Sequence, residues 1–471
     1  MYWAGRSSIA IIGGGFTGAS LAAALLRISG PNVSVILIER ERCAGHGVAY
    51  GTRCGRHLLN VRAQNMSAFD DDPGHFLHWA RLYYDSGVQS GDFLPRRVYG
   101  QYIESLLAQA VQQHPGRFER IHDEAVSIAC AEGQANISLR SGQKIAAEKV
   151  VLALGNFPPS DPKLPGKQKF SPRYVANGWS EDAIADLGQD QSVLLIGTGL
   201  TAIDVVLSLR HGGFSGTIHM LSRHGLLPRP QNSRTQWPAF WDGASAQTAR
   251  GLVRLVRTQV RKAQEQNIDW RAVLDSIRPV TQKMWGSLTL TERWRFLRHV
   301  RPYWDVHRHR VAPEIGSLLQ TELESGSLQV HAGRITDYAE HRDFISLTYR
   351  ERRSQQLQNV KVARVINCTG PDADSRRVRS TLLQNLMRQN VVRPDALFLG
   401  VDTAENGALL NNGGVASDVL YTVGPLRRGN LWESIAVPEI REQVADLAAH
   451  LVAGFRLRTR VTHANQLTTV W

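Results

Sequence analysis

Residues 9–18 read IAIIGGGFTG, and this stretch decides the fold of the chain. Its four leading apolar residues predict a parallel strand that is buried on both faces. The glycines then form G-x-G-x-x-G, and residues 19–28 predict a helix. In such a motif Gly13 permits the tight turn, Gly15 lets the backbone approach a pyrophosphate, and Gly18 lets helix and strand pack closely. The pyrophosphate would lie at the helix N-terminus, where backbone N–H groups have no partner within the helix.

The next predicted strand ends in an acidic residue. Residues 33–40 read VSVILIER, which places Glu39 about 20 residues beyond the last glycine of the motif. A carboxylate at this place can bind the ribose hydroxyls of a nucleotide that lacks a 2′-phosphate, such as FAD or NAD. The alternative is a glycine-rich turn followed by a surface glutamate. Because strand, turn, helix and acid occur in the required order, we expect this stretch to bind a dinucleotide.

The same pattern occurs a second time. Residues 192–202 read SVLLIGTGLTA and give G-x-G-x-x-A, followed by a helix predicted over residues 201–210. After the next predicted strand, 217–221, the acid is replaced by Ser222, Arg223 and His224. An arginine there matches a 2′-phosphate through a forked, charge-assisted contact, so this site favours NADPH over NADH. The alternative is a surface arginine at the end of a strand.

Both units also end alike, with KVVLALG at residues 149–155 and ARVINCTG at residues 363–370. This internal duplication predicts an α/β protein with two Rossmann-like dinucleotide-binding domains, the second inserted in the first, as in glutathione reductase. The predicted FAD-binding domain comprises residues 1–166 and 371–471. The predicted NADPH-binding domain comprises residues 167–370 and carries a helical insertion at about 231–313. Two dinucleotide sites in one chain indicate two redox cofactors.

The end of the insertion, residues 293–313, reads RWRFLRHVRPYWDVHRHRVAP and crowds arginines and three histidines around aromatic residues. One interpretation is an anion-binding wall that faces a cofactor phosphate or an acidic substrate, with His307, Arg308 and His309 at its centre. The other is a solvated helix face on which arginines stack against tryptophans. Because the His-x-His pair has no evident third ligand, we predict no metal site.

Residues 57–80 place polar side chains in an otherwise apolar run, namely Asn60, Asn65 and Ser67. They are suited to bind the edge of a heteroaromatic ring. An ordinary loop followed by a capped helix explains them equally well.

Length, composition and net charge limit the kinds of protein that this chain can form. A chain of 471 residues with 42% hydrophobic and 21% charged residues can form two or three soluble domains. No stretch is long enough to span a bilayer, and the first strand leaves no room for a targeting segment, so we expect a cytoplasmic protein without a membrane partner. The net charge of +13 suits small anionic partners. Scattered arginines and the lack of a nucleic-acid-binding module argue against nucleic acid.

The four cysteines are Cys43, Cys54, Cys130 and Cys368. They form no C-x-x-C pair and no metal-ligand spacing, which argues against a disulfide reductase. We expect most of them to be small buried hydrophobic residues.

With these motifs the chain resembles two-dinucleotide-binding flavoproteins, in particular the bacterial FAD/NAD(P)-binding proteins. The resemblance covers nearly the whole chain. Its most specific segments are HLLNVRAQNMS at 57–67, WDVHRHRVAP at 304–313 and GPLRRGNLWESIAVPEIREQ at 424–443. More distant relatives are flavin-dependent N-hydroxylating and class B monooxygenases and a flavin-dependent urate hydroxylase.

The resemblance implies FAD in the first unit and NADPH in the second. FAD would contact Gly13, Gly15, Gly18, Glu39, Val126 and the Gly424 region. NADPH would contact Gly197, Gly199, Thr201 and Arg223. Further candidates for cofactor binding are Arg40, Asn60, Gly155, Ser222, Gly370 and Pro425, and the substrate candidates are His307 and Arg308. A helix beginning near Val437 could direct its positive end at the flavin. No catalytic acid or base can be assigned.

Two features depart from related flavoproteins. Pro425 follows Gly424 where relatives often have Gly-Asp, so another group must serve the ribityl chain of the flavin. Residues 170–179, FSPRYVANGW, do not match the Baeyer–Villiger fingerprint, which makes ketone oxygenation unfavourable.

We therefore expect an NADPH-dependent flavin monooxygenase that uses molecular oxygen and forms a C4a-hydroperoxyflavin. Its substrate would be small and polar or acidic, such as an amine, an amino acid or a purine like urate. The alternatives are a flavin reductase or dehydrogenase that passes electrons to a partner, and a non-catalytic flavin-binding sensor.

Overall fold

The structure, a computed structural model, describes residues 7–131, 133–167, 171–232, 235–244 and 246–467, with side chains as far as Phe455. The described residues form two compact units. The first unit draws on residues 1–53, 61–157 and 373–471, and the second on residues 54–60 and 158–372. The units thus divide after residues 157 and 372, where the sequence predicts boundaries after 166 and 370.

The strands and helices are numbered in chain order. The strands are β1 (Ser7–Ile12), β2 (Val33–Glu39), β3 (Phe118–His122), β4 (Ala125–Ala131), β5 (Gln134–Leu139), β6 (Lys144–Ala147), β7 (Lys149–Leu152), β8 (Tyr174–Val175), β9 (Val193–Ile196), β10 (Ile218–Ser222), β11 (Leu328–Glu340), β12 (Ile345–Glu351), β13 (Leu357–Val362), β14 (Arg364–Asn367), β15 (Ala408–Leu410) and β16 (Ala416–Thr422). The α-helices are α1 (Phe16–Ile28), α2 (Gly47–Tyr50), α3 (His75–Tyr83), α4 (Arg96–Gln113), α5 (Leu200–His211), α6 (Ala249–Glu265), α7 (Trp270–Ser276), α8 (Thr281–Ser287), α9 (Leu290–His299), α10 (Arg301–Arg308), α11 (Pro313–Glu324), α12 (Thr381–Arg388), α13 (Arg428–Leu431) and α14 (Val437–Leu467). Short 3₁₀ helices are Ala63–Asn65, Glu181–Ala183, Arg278–Val280 and Pro425–Arg427.

The first unit is built on a six-stranded sheet in the order β15-β16-β7-β1-β2-β3. All neighbours are parallel except β15 and β16. Ile12, the last residue of β1, lies opposite Ile38 on one side and Leu152 on the other. The carboxyl ends of the three central strands therefore meet at one edge, which is where ligands bind in parallel α/β sheets.

An antiparallel sheet, β4-β5-β6, completes the first unit. Its apolar side chains and those of α12 share one core with the central strands, represented by Ile36, Ile128, Ile137 and Leu383. Alternate residues of β5 turn inward to this core, and Ala125 and Ile128 of β4 are buried with them.

The second unit repeats the design. Its seven-stranded sheet has the order β13-β12-β11-β10-β9-β14-β8, with β8, β14, β9, β10 and β11 parallel. Ile196 at the end of β9 lies opposite Leu221 and Asn367, so the central strands again end together. The predicted fold class is confirmed: two Rossmann-like units, the second inserted in the first. The helices α6–α10 lie between β10 and β11, as expected for the helical insertion.

Two global findings concern expectations from composition. No helix within the described residues has the length and hydropathy needed to cross a membrane.

The expectation that most cysteines are buried is wrong, because Cys43 and Cys130 are exposed and Cys54 is partly exposed, while Cys368 is buried. The three accessible cysteines lie in loops or on the outward face of β4, where the packing of core strands does not reach them.

Two partly buried histidine rings and the buried ring of Tyr349 form a chain of contacts across the second sheet. His219 Nδ1 lies 3.0 Å from His331 Nε2, and the other ring nitrogen of His331 lies 3.0 Å from the Tyr349 hydroxyl. Burial, with a smaller effect from the charge of His331, lowers the pKa of His219 to about 4. Burial also lowers the pKa of His331, although Glu351 opposes this effect.

We expect the melting temperature to fall as the pH is lowered from about 6.5 towards 4. In this window the unfolded chain, whose histidines have a pKa of about 6.5, binds protons that the folded chain excludes. Thermal melts at several pH values would check this, and His219→Gln should flatten the slope. The exposed His78 on α3 provides the control, His78→Gln, which should keep the slope. An unchanged slope in His219→Gln would contradict the role of this ring.

Candidate dinucleotide sites

The first glycine turn connects β1 to α1 in the first unit. Gly13 has a φ of +103°, and a Cβ there would lie 2.4 Å from the carbonyl oxygen of Ala153. A Cβ on Gly18 would lie 1.8 Å from the carbonyl oxygen of Gly13. Both positions therefore require glycine, the first for its backbone conformation and the second for the contact between helix and turn.

The backbone conformation of Gly15 does not require glycine, because its φ of −67° is accessible to any residue. Apart from its chain neighbours, the only atoms of the described residues that its Cβ would meet within 4 Å belong to the backbone of Gly47, with Cα at 3.6 Å. Gly15 is also the N-cap of α1, and no side chain of the described residues caps this helix by a hydrogen bond. Because only backbone lies beside Gly15 and no described side chain caps α1, the first N–H groups of this helix are suited to bind a phosphate.

Glu39, the last residue of β2, lies at the same turn. Its carboxylate accepts hydrogen bonds from the backbone N–H of Gly14 and, at 2.8 Å, from that of Glu41. A Cβ on Gly14 would lie 2.9 Å from Glu39 Cβ, so the acid packs directly on the turn. An acceptor at this place, beside an open glycine turn, fits the ribose and pyrophosphate of FAD.

The turn after β16, the last parallel strand of the first unit, lies beside the first turn of α1. Gly424, after β16, has a φ of +85°, and a Cβ there would lie 3.3 Å from Thr17 Oγ1 in the first turn of α1. Its N–H donates to Gln443 Oε1 at 3.0 Å, so α14 holds this turn. Pro425 begins the 3₁₀ helix that follows. The structure thus brings Gly424 and Pro425 to the first glycine turn, although about 400 residues separate the two turns in sequence.

The segment between this turn and α14 is strained. Trp432 has a φ of +63° and a ψ of −65°, and the N–H of Glu433 donates to the carbonyl of Leu431 at 2.8 Å. This is a three-residue γ-turn of the rare, strained type. Strained backbone of this kind persists where the surrounding structure holds it and is common beside functional sites. The sequence gives no sign of it, because tryptophan has no preference for this conformation.

Three further candidates for cofactor binding are Arg40, Val126 and Asn60. Arg40 is exposed and lies 3.7 Å from Glu41 in an ion pair. Val126 lies in β4, and its carbonyl accepts a hydrogen bond from the Asn385 side chain at 2.7 Å. Asn60 belongs to the second unit, where its carbonyl accepts from Gln231 Nε2 at 3.2 Å.

The second glycine turn, between β9 and α5, copies the first. Gly197 has a φ of +119°, and a Cβ there would lie 2.3 Å from the carbonyl oxygen of Cys368. Gly199 is the N-cap of α5, and within the described part of the chain no side chain caps it and no atom lies within 4 Å of its Cβ position. Thr201 follows in the first turn of α5. Gly155 and Gly370 also correspond, since each follows the strand beside its turn with positive φ and an open Cβ position.

At the end of β10, the position that corresponds to Glu39 at the end of β2, the second unit has Ser222, Arg223 and His224. Ser222 Oγ accepts from the N–H of Gly225 at 3.0 Å and so shapes the turn after β10. Arg223 is exposed, and its carbonyl accepts from Arg352 Nη1 at 3.2 Å. Arg352 also contacts the His224 ring. Burial, then the charges of Arg352 and Arg223, lower the pKa of His224.

Arg352 is therefore a candidate that sequence reasoning missed. It lies in the turn between β12 and β13, about 130 residues from Arg223, and only the pairing of β10, β11 and β12 brings it near. The Arg352 guanidinium contacts the backbone of Arg223, and a second guanidinium at this place would suit the 2′-phosphate of NADPH.

The insertion places His307 and Arg308 at the end of α10. His307 Nδ1 lies 2.7 Å from the carbonyl of Tyr303, and its ring packs edge-on against Trp270 with 4.9 Å between centroids. Both residues are partly buried. Among the described residues no group of three or more histidine, cysteine or acidic side chains could hold a metal ion.

The comparisons with known proteins bear on both the domain and the fold. Residues 10–157 match a family model described as FAD-NAD(P)-binding. An uncharacterized protein of Mycobacterium tuberculosis is 24% identical over an alignment 494 residues long, which covers 90% of each chain. The prediction that the first glycine motif belongs to an FAD-NAD(P)-binding region is therefore confirmed for residues 10–157.

Solved structures show the same fold. An ornithine N-hydroxylase of Kutzneria sp. 744, solved with reduced FAD, NADP⁺ and L-ornithine, is 13% identical with a TM-score of 0.63, covering 96% of this chain and 100% of its own. A cadaverine monooxygenase of Erwinia amylovora, bound to FAD, is 11% identical with a TM-score of 0.65, covering 95% and 94%. The resemblance to two-dinucleotide-binding flavoproteins is thus confirmed in the fold.

Proposed function

We propose that the protein is an FAD-dependent monooxygenase that uses NADPH and molecular oxygen to hydroxylate a small amine or amino acid. The observation that carries this proposal is the presence of two glycine turns of matching geometry, one in each unit, with Gly13 and Gly197 as the equivalent first glycines. The fold shared with amine and amino-acid hydroxylases supports it.

Different residues of the first unit would bind the ribose, the pyrophosphate and the flavin end of FAD. Glu39 would accept hydrogen bonds from the ribose, and the N–H groups at the start of α1 would bind the pyrophosphate. The turn at Gly424 would approach the flavin end, with Pro425 in place of an acid. The chemistry that bound FAD supplies is the transfer of reducing equivalents from NADPH to oxygen.

The residues of the second unit would select the coenzyme and the substrate. The N–H groups at the start of α5 would bind the NADPH pyrophosphate, and Arg223 with Arg352 would bind the 2′-phosphate. His307 and Arg308 on α10 would attract an acidic group of the substrate, such as the carboxylate of an amino acid.

The proposal predicts NADPH oxidation that requires oxygen and accelerates with substrate. The purified protein should bind FAD, and ornithine, lysine, cadaverine and urate would be compared for oxygen uptake and hydroxylated product. We expect one amine or amino acid to raise oxygen uptake severalfold and to yield a hydroxylamine.

Two results would contradict this assignment. NADPH oxidation that proceeds without oxygen, with an artificial electron acceptor and no hydroxylated product, would indicate a reductase or dehydrogenase. Tight FAD binding with negligible NADPH oxidation under every condition would indicate a flavin-binding sensor.

A further inference from the structure

Polar side chains meet beside α5 in the second unit, namely Cys54, His57, Asp204 and Ser208. Asp204 and Ser208 lie one turn apart on α5, and the segment 54–60 belongs to the same unit. His57 is 3% exposed, and its Nε2 lies 2.8 Å from the Asp204 carbonyl oxygen and 3.0 Å from Ser208 Oγ. The ring also packs edge-on against Trp179, with 5.8 Å between centroids. His57 is therefore held in one orientation.

The hydrogen-bond partner of Nε2 determines which ring nitrogen of His57 carries the proton. A carbonyl oxygen can only accept a hydrogen bond, so Nε2 carries a proton where it faces Asp204. Nδ1 is then the ring nitrogen that can take up a second proton. The Asp204 side chain is also buried, and its negative charge favours the imidazolium form. His57 is thus arranged as a base.

Cys54 lies partly exposed beside this base. The Cys54 carbonyl accepts a hydrogen bond from the His57 N–H at 3.2 Å, so the two residues lie in one turn. Hydrogen bonds from the side chains of His57 and Ser208 and from the backbone N–H of Arg56 favour the thiolate of Cys54. Burial alone would raise the pKa of Cys54, but these hydrogen bonds and the charge of His57 bring it below the usual value. Burial lowers the pKa of His57, but Cys54 and Asp204 together raise it above the usual value. Each group therefore stabilises the charged form of the other.

A nucleophile beside an oriented base is the arrangement that activates a thiol. We propose that Cys54 is a modification site whose thiol is oxidised by hydroperoxides to a sulfenic acid, with His57 as its proton acceptor and donor. Asp204 and Ser208 lie beyond the first turn of α5, the helix that Gly199 caps, and nothing in the monooxygenase proposal requires these side chains.

The oxidation balances with hydrogen peroxide as the oxidant. The Cys54 thiolate sulfur attacks one peroxide oxygen, so that an S–O bond forms as the O–O bond breaks. The sulfur loses two electrons and becomes a sulfenic acid, and the departing hydroxide takes a proton from the His57 imidazolium and leaves as water.

Alkylation of the full-length protein tests the first half of this proposal. Iodoacetamide would be applied briefly at pH values from about 5.5 to 9.5, and peptide mass spectrometry would give the rate at each cysteine. Cys43 is the reference, because it is exposed in the loop after β2. We expect Cys54 to react with a midpoint below that of Cys43 and to be alkylated severalfold faster than Cys43 at low pH. Equal midpoints, or slower reaction of Cys54 at every pH, would overturn the proposal.

Variants and peroxide test the second half. His57→Gln should move the Cys54 midpoint up to that of Cys43, and Ser208→Ala should move it partway, while both leave the Cys43 profile unchanged. After brief exposure to hydrogen peroxide, dimedone should label Cys54 severalfold more than Cys43, and His57→Gln should abolish this excess. If neither variant shifts the midpoint, or if Cys54 gains no more label than Cys43, the proposal is wrong.

Discussion

Replacing Arg223 with alanine is expected to weaken NADPH binding tenfold to a hundredfold while NADH binding changes little. A charge-assisted hydrogen bond contributes about 1.5–3 kcal/mol, and about 1.4 kcal/mol corresponds to a factor of ten in affinity. Because Arg223 is exposed, solvent screening places the effect towards the lower end. Only NADPH carries the 2′-phosphate, so the loss should be specific to it. Titration of each coenzyme into the purified protein would measure both affinities.

The neighbouring arginines supply the controls for this experiment. Arg352→Ala should also weaken NADPH more than NADH, because Arg352 donates to the carbonyl of Arg223 and contacts His224. Arg353→Ala, an exposed neighbour in the same turn, removes an equal charge and should leave both affinities within about twofold. Equal weakening of NADH and NADPH in Arg223→Ala would remove the assignment of this cluster to the 2′-phosphate.

Replacing Gly15 with alanine should leave the apoprotein folded and reduce FAD affinity by about fivefold to a hundredfold. Its φ of −67° suits alanine, and the added Cβ would make an ordinary 3.6 Å contact with Gly47. The methyl group would nevertheless occupy the space through which a phosphate approaches the backbone. Overpacking of this size costs about 1–3 kcal/mol, which corresponds to about fivefold to a hundredfold in affinity. Flavin fluorescence titration and thermal melting of the apoprotein would measure the two effects separately.

Two other glycines separate a binding effect from a folding effect. Gly18→Ala should lower the stability of the apoprotein itself, because its Cβ would lie 1.8 Å from the Gly13 oxygen. Gly30→Ala, at an exposed position where no described atom lies within 4 Å of the Cβ, should change neither stability nor affinity. If Gly15→Ala binds FAD as tightly as the unaltered protein, the pyrophosphate does not lie at this turn.

Both glycine turns could be predicted because their signals are local. In each, an apolar strand, a glycine motif and a helix follow one another within about 20 residues, and each glycine has a steric reason to be there. The start of α1 at Phe16, three residues before the predicted start, follows from Gly15 acting as its N-cap. The prediction of buried cysteines is wrong because composition reports the average behaviour of a residue type and not its place on a strand or loop.

By itself, the sequence determined that the chain contains two Rossmann-like units and that the first binds a dinucleotide, because short-range patterns of apolar residues and glycine specify strand, turn and helix. Only the tertiary structure decided which distant residues join these turns. Arg352 reaches Arg223 through a parallel and an antiparallel strand pairing, Gly424 reaches α1 through the last parallel strand, and His57 meets Asp204 on α5. Strand pairing and helix packing set these contacts, and no local pattern in the sequence records them.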